Sequence, residues 1–283
     1  MIAKRIAVIG AGHMRTLEQR LLASYGSRGV SRIRKRLSVE RLIVRLQMQR
    51  PQGFIAKGGF ALELRLSGEF RTTRDLDITV EPKLGDIDAV SDEMEAACEV
   101  DMSDGFEFRL EGGPEVVAAE GDTRTLRYLV RARVDNRLFE MVPVDIRRGD
   151  FVPARFDLLP GSDLLEFAGV PPVHIRVIPL EYHLAEKVHA YTCPRERGNT
   201  RIRDLVDMYA LMELGTSGGS VTKEALREVF WHRRASEIPK SLPIPPADWR
   251  EGFALLARSM RDVPEDMTKA FEKISGFYIG LWR

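Results

Sequence analysis

The segment Asp75-Leu76-Asp77-Ile78-Thr79-Val80 constrains this chain more than any other. Successive side chains of a strand point to opposite faces, so Leu76, Ile78 and Val80 share one face and Asp75, Asp77 and Thr79 the other. Such a strand belongs to a sheet with one side against a core. The other side then carries two carboxylates that repel each other, and each prefers water or a cationic partner. A dication between them offsets that repulsion.

Upstream, "FIAK" reads as a short strand running into Gly58-Gly59, and "FALELRL" as a short helix after it. A strand that turns through two glycines into a helix exposes backbone N–H groups at a helix N-terminus, which suits phosphate oxygens. The next strand brings Asp75 and Asp77 beside that turn. Phosphoryl transfer with two metal ions uses a further carboxylate from a neighbouring strand. Asp145 in "EMVPVDI" fits, because Val142, Val144 and Ile146 can face the core while Asp145 points the other way. A DxD pair alone is weak evidence; the order GG, DxD, strand-borne Asp is more specific.

The rest of the chain supplies the frame. Residues 15–50 carry apolar positions at helical spacing, interrupted at "YGSRGVS", and predict two helices. "DIDAVSDEMEAACEV" predicts another. "TLRYLVRARV" and "LFEMVPVDI" alternate as strands, and Asp135-Asn136-Arg137 between them suits a tight hairpin. From Pro179 the pattern turns helical, over 180–193, 200–214, 222–235 and two segments near the C-terminus. The expected fold is α+β: a lobe with a small mixed or antiparallel sheet flanked by helices (1–170), then a helical C-terminal lobe (171–283).

In "LEYHLAEKVHAY", advancing roughly 100° per residue places Leu184, Lys187 and Tyr191 within roughly 40° of Leu180. A lysine inside an apolar stripe is costly unless it meets an anion, so Lys187 is read as a phosphate contact, with snorkelling to solvent as the rival. In "NTRIRDLVDMYALMEL" the buried face is Ile202, Leu205, Met208, Tyr209 and Met212, with Arg201 on it and Asp204 at its border. Asp207 points farther away, as a surface or inter-helix residue. Glu186 and His189 are read as surface residues, and His183 as a structural histidine.

Composition excludes little. Lys plus Arg (43) balances Asp plus Glu (42), so net charge does not select a partner. Arg15, Arg20, Arg28, Arg32, Arg34, Lys35, Arg36, Arg41, Arg45 and Arg50 stand against only Glu18 and Glu40, a bias that could face phosphates or simply water. Cys98 and Cys193 form no metal-ligand pattern and fit a reducing compartment. No apolar run has the length of a membrane span and the start lacks a signal-peptide pattern, so a cytoplasmic protein without membrane contact is expected. "RIAVIGAGHMRT" imitates a dinucleotide fingerprint, but Arg15 replaces the third glycine and no acidic residue follows about 20 positions on. That stretch is read as a short strand or a leader.

"IAKGGFALELRL…RTTRDLDI", then "VPVDI", then "LAEKVHAYT…RIRDLVDMYAL" resembles the AbiEii-type nucleotidyltransferases over about Ser38 to Leu214. These are toxin components of bacterial toxin–antitoxin and phage-defence systems, within the DNA polymerase beta-like nucleotidyltransferase superfamily. The resemblance implies a metal-dependent enzyme using Mg²⁺ and a nucleoside triphosphate, transferring nucleotides to the 3′ end of tRNA, blocking translation and countered by a cognate antitoxin. The family's residues fall on Gly58, Gly59, Asp75, Asp77, Lys187 and an aspartate of "RDLVD", for which the helical wheel favours Asp204. Gly59 stands where many nucleotidyltransferases carry a serine, so backbone N–H groups must do more for the phosphates.

The expected catalytic set is Asp75, Asp77, Asp145, Lys187 and Asp204, with the first three as metal ligands. Gly58, Gly59, Arg71, Thr73, Lys187 and Arg201 form the nucleotide-binding set. Two rivals remain at this stage: a nucleotidyltransferase acting on a small molecule or a protein, and an inert module binding RNA or an antitoxin. Clustered carboxylates near RNA phosphates argue against the second.

Overall fold

The computed structural model describes residues 11–51, 53–66, 73, 75–81, 84, 86–120, 123–148, 152–194, 199–216, 219–233, 237–260 and 262–283, without the side chains of 11–15, 28, 119, 120 and 123. Two compact units emerge. The first comprises Met1–Leu64, Thr72–Val152 and Leu158–Val177; the second comprises Arg65–Arg71, Pro153–Asp157 and Ile178–Arg283. The fold is α+β with a mixed sheet, as the sequence predicts.

The sheet draws on β1 (Phe54–Lys57), β2 (Leu76–Val80), β3 (Phe106–Leu110), β4 (Glu115–Glu120), β5 (Thr123–Val134), β6 (Arg137–Arg148), β7 (Asp157–Pro160) and β8 (His174–Val177). Their order is β3-β5-β6-β2-β1-β8-β7, with β4 also paired to β5. β2 runs antiparallel to β1 and parallel to β6, so it is held on both edges. Leu76, Ile78, Val144 and Ile146 are fully buried, which fixes the register: a slip by one residue would bring the aspartates into the core. β5 and β6 join through Asp135 (φ 50°) and Asn136 (φ 60°), the two left-handed residues of a tight hairpin turn. A bulge between Ala132 and Arg133 then shifts the pairing by one residue, leaving Phe139 as the extra residue of β6.

Helix α1 (Ala11–Gln49) is broken at Gly26 (φ 62°, ψ 173°), within the expected interruption. Residues 1–10 lie outside the described residues, and 11–14 are helical, which corrects the strand or leader expected there. The basic run of α1 is also corrected. Arg45 is fully buried and grips Asp104 through two hydrogen bonds of 2.7 and 3.0 Å, while donating to the carbonyls of Val100 and Phe106. Arg34 lies 4.8 Å from the Phe139 ring centroid and donates to the Phe139 carbonyl oxygen. Arg36 pairs with Glu40, Arg50 with Glu81 and Glu93, and Arg20 stacks on Phe167. Arg20, Arg34, Arg45 and Arg50 thus tie the helix to other parts of its unit, Arg36 pairs within the helix, and residues 38–47 of α1 are buried throughout. Gln47 completes the attachment, bonding the Phe54 carbonyl and both backbone groups of Arg176.

The first unit also contains α2 (Gly58–Arg65) and α3 (Ile87–Glu99), the latter capped by Asp86, whose carboxylate accepts from the Ala89 N–H. Burial pushes the Cys98 thiol on α3 up to about 12, which leaves it unreactive. The second unit is helical: α4 (Leu180–Thr192), α5 (Ile202–Glu213), α6 (Gly219–His232), α7 (Arg250–Ala257) and α8 (Met267–Leu281). The Tyr191 and Tyr278 hydroxyls donate to the carbonyls of Pro243 and Pro239, pinning the proline-rich connection to the helices. Among the described residues no helix is long and apolar enough to cross a membrane.

Candidate active site

The expected site residues fall into two clusters of charged side chains, one in each unit. In the first, the parallel register sets Asp77 of β2 opposite Asp145 of β6. Their apolar neighbours enter the core, so both carboxylates stand on the other face, one inter-strand spacing of about 4.8 Å apart. Asp75 precedes β2, and its side chain is more open than that of Asp145. On the far side of β2, Lys57 of β1 is the register partner of Asp77.

Gly58 follows Lys57 and opens α2 with φ +62°, a conformation that penalises side chains. A Cβ there would lie 2.0 Å from Asp77 Oδ2 and 2.8 Å from its Cγ. The bare backbone therefore lets the start of α2 close on the Asp77 carboxylate. The unpaired N–H groups of a helix start favour negative charge, so Asp77 and the N-terminus of α2 form one anion-facing corner. Gly58→Ala is expected to cost about 1–2 kcal/mol for the left-handed backbone alone. It should also lower nucleotide transfer by displacing Asp77. Thermal unfolding and transfer assays check this, and wild-type transfer in the variant would show that Asp77 need not be held there.

Arg127 completes the first cluster, and the sequence reading missed it. It is the register partner of Asp145 on β5. Its guanidinium donates to both Asp145 oxygens at 2.7 and 2.6 Å and lies 3.7 Å from Asp75 Oδ2. Hydrogen bonding to Asp145, supported by the charges of Asp145, Asp75 and Asp77, raises the Arg127 pKa above its ordinary value against a smaller cost of desolvation. Thr73 is buried and its hydroxyl donates to the Asp75 carbonyl, shaping the approach to β2. Arg71 lies outside the described residues.

The second cluster centres on Lys187 of α4. Its Nζ donates to Asp204 Oδ1 and to Asp207 Oδ2 of α5, each at 2.8 Å. The Asp207 side chain is fully buried and that of Asp204 is 8% exposed. Of the two places the sequence allows Asp207, surface or inter-helix, it takes the second, as a direct partner of Lys187, and the anion that Lys187 meets is a pair of aspartates. Burial pushes the Lys187 pKa down, yet the charges of Asp207 and Asp204 and their hydrogen bonds outweigh it and hold the pKa above its ordinary value. Arg201 lies 3.6 Å from Asp204 Oδ2 with 43% of its side chain exposed, so it is not on the buried face of α5. Glu186 and His189 are also corrected: Glu186 pairs with Arg233 at 2.9 Å, and His189 is buried edge-on to Phe230. His183 is buried.

Asp75, Asp77, Asp145 and the Gly58 turn thus lie in one unit, and Lys187, Asp204 and Arg201 in the other. Among the described residues, no three His, Cys, Asp or Glu side chains converge as a ready-made metal ligand set. Asp145 is instead taken up by Arg127.

The family described as nucleotidyl transferase AbiEii toxin, type IV toxin–antitoxin system, matches residues 41–275, a span that includes both clusters. Among solved structures, the chain is similar to MenT4, a nucleotidyltransferase toxin from Mycobacterium tuberculosis H37Rv, with 18% identity and a TM-score of 0.55 over 95% of this chain and 89% of that one. It is also similar to JHP933 from Helicobacter pylori, with 14% identity and a TM-score of 0.45 over 87% of this chain and 90% of that one. No curated protein gives a match. At 18% identity the likeness to MenT4 concerns the fold alone, while the sequence match over most of the chain establishes the family. The chain belongs to the AbiEii nucleotidyltransferase toxins, enzymes of toxin–antitoxin systems.

Proposed function

We propose that this protein transfers a nucleotide from a nucleoside triphosphate to the 3′ end of an RNA, with tRNA as the acceptor, in the cytoplasm. A tRNA extended at that end no longer supports translation, which is the toxic act. Family membership implies the triphosphate substrate and an antitoxin partner. The observation that carries the reading is Asp77 standing opposite Asp145, with the Gly58 turn closed on Asp77.

The donor set suits a hard divalent cation: three carboxylates, oxygen ligands only, two of them on adjacent strands. Asp75, Asp77 and Asp145 would hold Mg²⁺, which when bound neutralises phosphate charge during transfer. Asp145 orients the acceptor hydroxyl and takes its proton as the hydroxyl oxygen attacks the α-phosphorus and pyrophosphate leaves. Gly58 and Gly59 offer N–H groups to phosphate oxygens. Within the helical unit, the two aspartate bonds of Lys187 use two of its three N–H donors, and the third would suit an anionic oxygen. Asp204 and Asp207 hold that ammonium in place, and exposed Arg201 adds a second cation beside it.

Incubating the protein with total RNA and each labelled triphosphate tests the reading. Label is expected on tRNA-sized RNA, lost on chelation and lost when the 3′-hydroxyls are oxidised beforehand. Label that appears only on a protein or a small molecule would overturn the RNA assignment.

A further inference from the structure

We propose that Arg127 is an exchangeable counter-ion of the carboxylate cluster, one that holds Asp145 until a divalent cation takes its place. The inference rests on the reading of Asp75, Asp77 and Asp145 as the cation site. Three carboxylates on neighbouring backbone positions are unstable without positive charge among them. Arg127 supplies it: two hydrogen bonds of 2.7 and 2.6 Å to Asp145, and a 3.7 Å approach to Asp75. A guanidinium bound through both prongs satisfies the same oxygens that a metal ion would need. Arg127 and a cation on Asp145 are therefore competitors.

Two features make the arginine able to leave. Its side chain is 42% exposed, in contrast to Arg45, whose guanidinium is fully buried on Asp104. Arg127 also has an acidic residue opposite it on either side, Asp145 on β6 and exposed Glu115 on β4. Residues directly opposite one another share a face of the sheet, so Glu115 lies within reach of the same flexible side chain. Released from Asp145, the guanidinium has a second carboxylate to meet without crossing the core. Part of the cluster's negative charge is thus offset before loading, and the cation must displace a resident positive charge to bind.

The position of Arg127 depends on the β6 bulge. An uninterrupted hairpin from the Asp135-Asn136 turn would set Arg127 opposite Val144; the extra residue Phe139 moves it opposite Asp145. The carbonyl and ring of Phe139 are in turn held by Arg34 of α1. The pairing of Arg127 with Asp145 is thus built into the sheet.

The test is direct titration of the full chain with Mn²⁺ in the absence of nucleotide, following free Mn²⁺ by electron paramagnetic resonance. Arg127→Gln removes the competing charge and should bind Mn²⁺ about tenfold more tightly than wild type, a modest fraction of the contact Coulomb energy once solvent screening is allowed for. Arg127→Lys keeps the charge but loses the two-pronged grip, and should bind about threefold more tightly. The Gln variant should also be less stable without cation and gain more from Mn²⁺ on heating. Equal or weaker Mn²⁺ binding in the Gln variant would overturn the inference; if that variant does not fold, the Lys variant decides by the same criterion. Asp77→Ala separates the two levels. Loss of Mn²⁺ binding in it places the cation at this cluster, whereas unchanged binding removes the cation-site reading and the inference together.

Discussion

Lys187→Met is expected to lower the unfolding free energy of the substrate-free protein by about 3–5 kcal/mol, the usual cost of removing one partner from a buried ion pair. The apolar stem of methionine would fit the stripe of Leu184 and Tyr191, and on the sequence alone the change looks harmless or even stabilising. The structure reverses that expectation. Lys187 is the shared donor to Asp204 and Asp207, whose side chains are 8% and 0% exposed. Without the ammonium, two carboxylates are left close together with little water, and one of them must take up a proton for the unit to remain folded. Burial opposes the charge on Lys187, but the two aspartates outweigh it and raise its pKa above the ordinary 10.5. A group whose pKa rises on folding contributes stability that is fully present below its unfolded value. That contribution should therefore be constant through neutral pH and disappear only as the pH climbs above 10.5 toward the folded value. Chemical unfolding of the variant and of Lys187→Met combined with Asp207→Asn measures the effect. The second change should restore part of the loss, because it removes one unpaired charge. Wild-type stability in the single variant would show that the triad is not a stabilising unit.

What the sequence reveals is what depends on near neighbours. The Asp75–Val80 alternation, the Gly58-Gly59 turn and the Asp135-Asn136 hairpin are each specified within a few residues, and each forms as predicted. Residues whose partners are set by packing are misread. For Asp207 the surface and inter-helix readings stay open, because a helical wheel treats the side away from the apolar centre as solvent and does not show a neighbouring helix. Yet Asp204 through Met212 are all buried, so this part of α5 has no solvent side. Lys187 shows the same limit, since its anions come from another helix. Arg127 is hidden by one extra residue, Phe139, because the hairpin turn alone gives the wrong partner. Arg41 and Arg45 read as part of a surface because charge normally marks one, whereas residues 38–47 are enclosed and the Arg45 charge is answered inside by Asp104. Strands β4 and β7 leave little signal, for β7 alternates between half-buried and exposed positions and contributes no buried side chain.

Asp77→Asn should reduce nucleotide transfer by at least about a hundredfold, a loss typical of removing one preorganised electrostatic contact to a reacting centre. Asparagine keeps the volume and the Cβ against which Gly58 is fitted, so the α2 turn and the β1–β2–β6 register should survive. What changes is charge: the middle carboxylate of the cluster is gone, and the remaining pair, Asp75 and Asp145, is shared with Arg127. The electrostatic demand for a dication falls accordingly, because one anion of three has been neutralised while the arginine stays. Stability should move far less than activity, since the site lies on the polar face of β2 and relieving like-charge repulsion offsets a lost contact. Excess Mg²⁺ should recover little of the transfer, because Asn offers a neutral carbonyl oxygen where a hard cation favours a carboxylate. Transfer assays across a range of Mg²⁺ concentrations, paired with unfolding curves, separate these effects. Near wild-type transfer at saturating Mg²⁺ would mean that Asp77 is no more than an occupant of the α2 corner, and the catalytic role would then have to be sought in Asp75 and Asp145. A folded variant with no transfer at any Mg²⁺ concentration is the result that the opposed Asp77 and Asp145 lead us to expect.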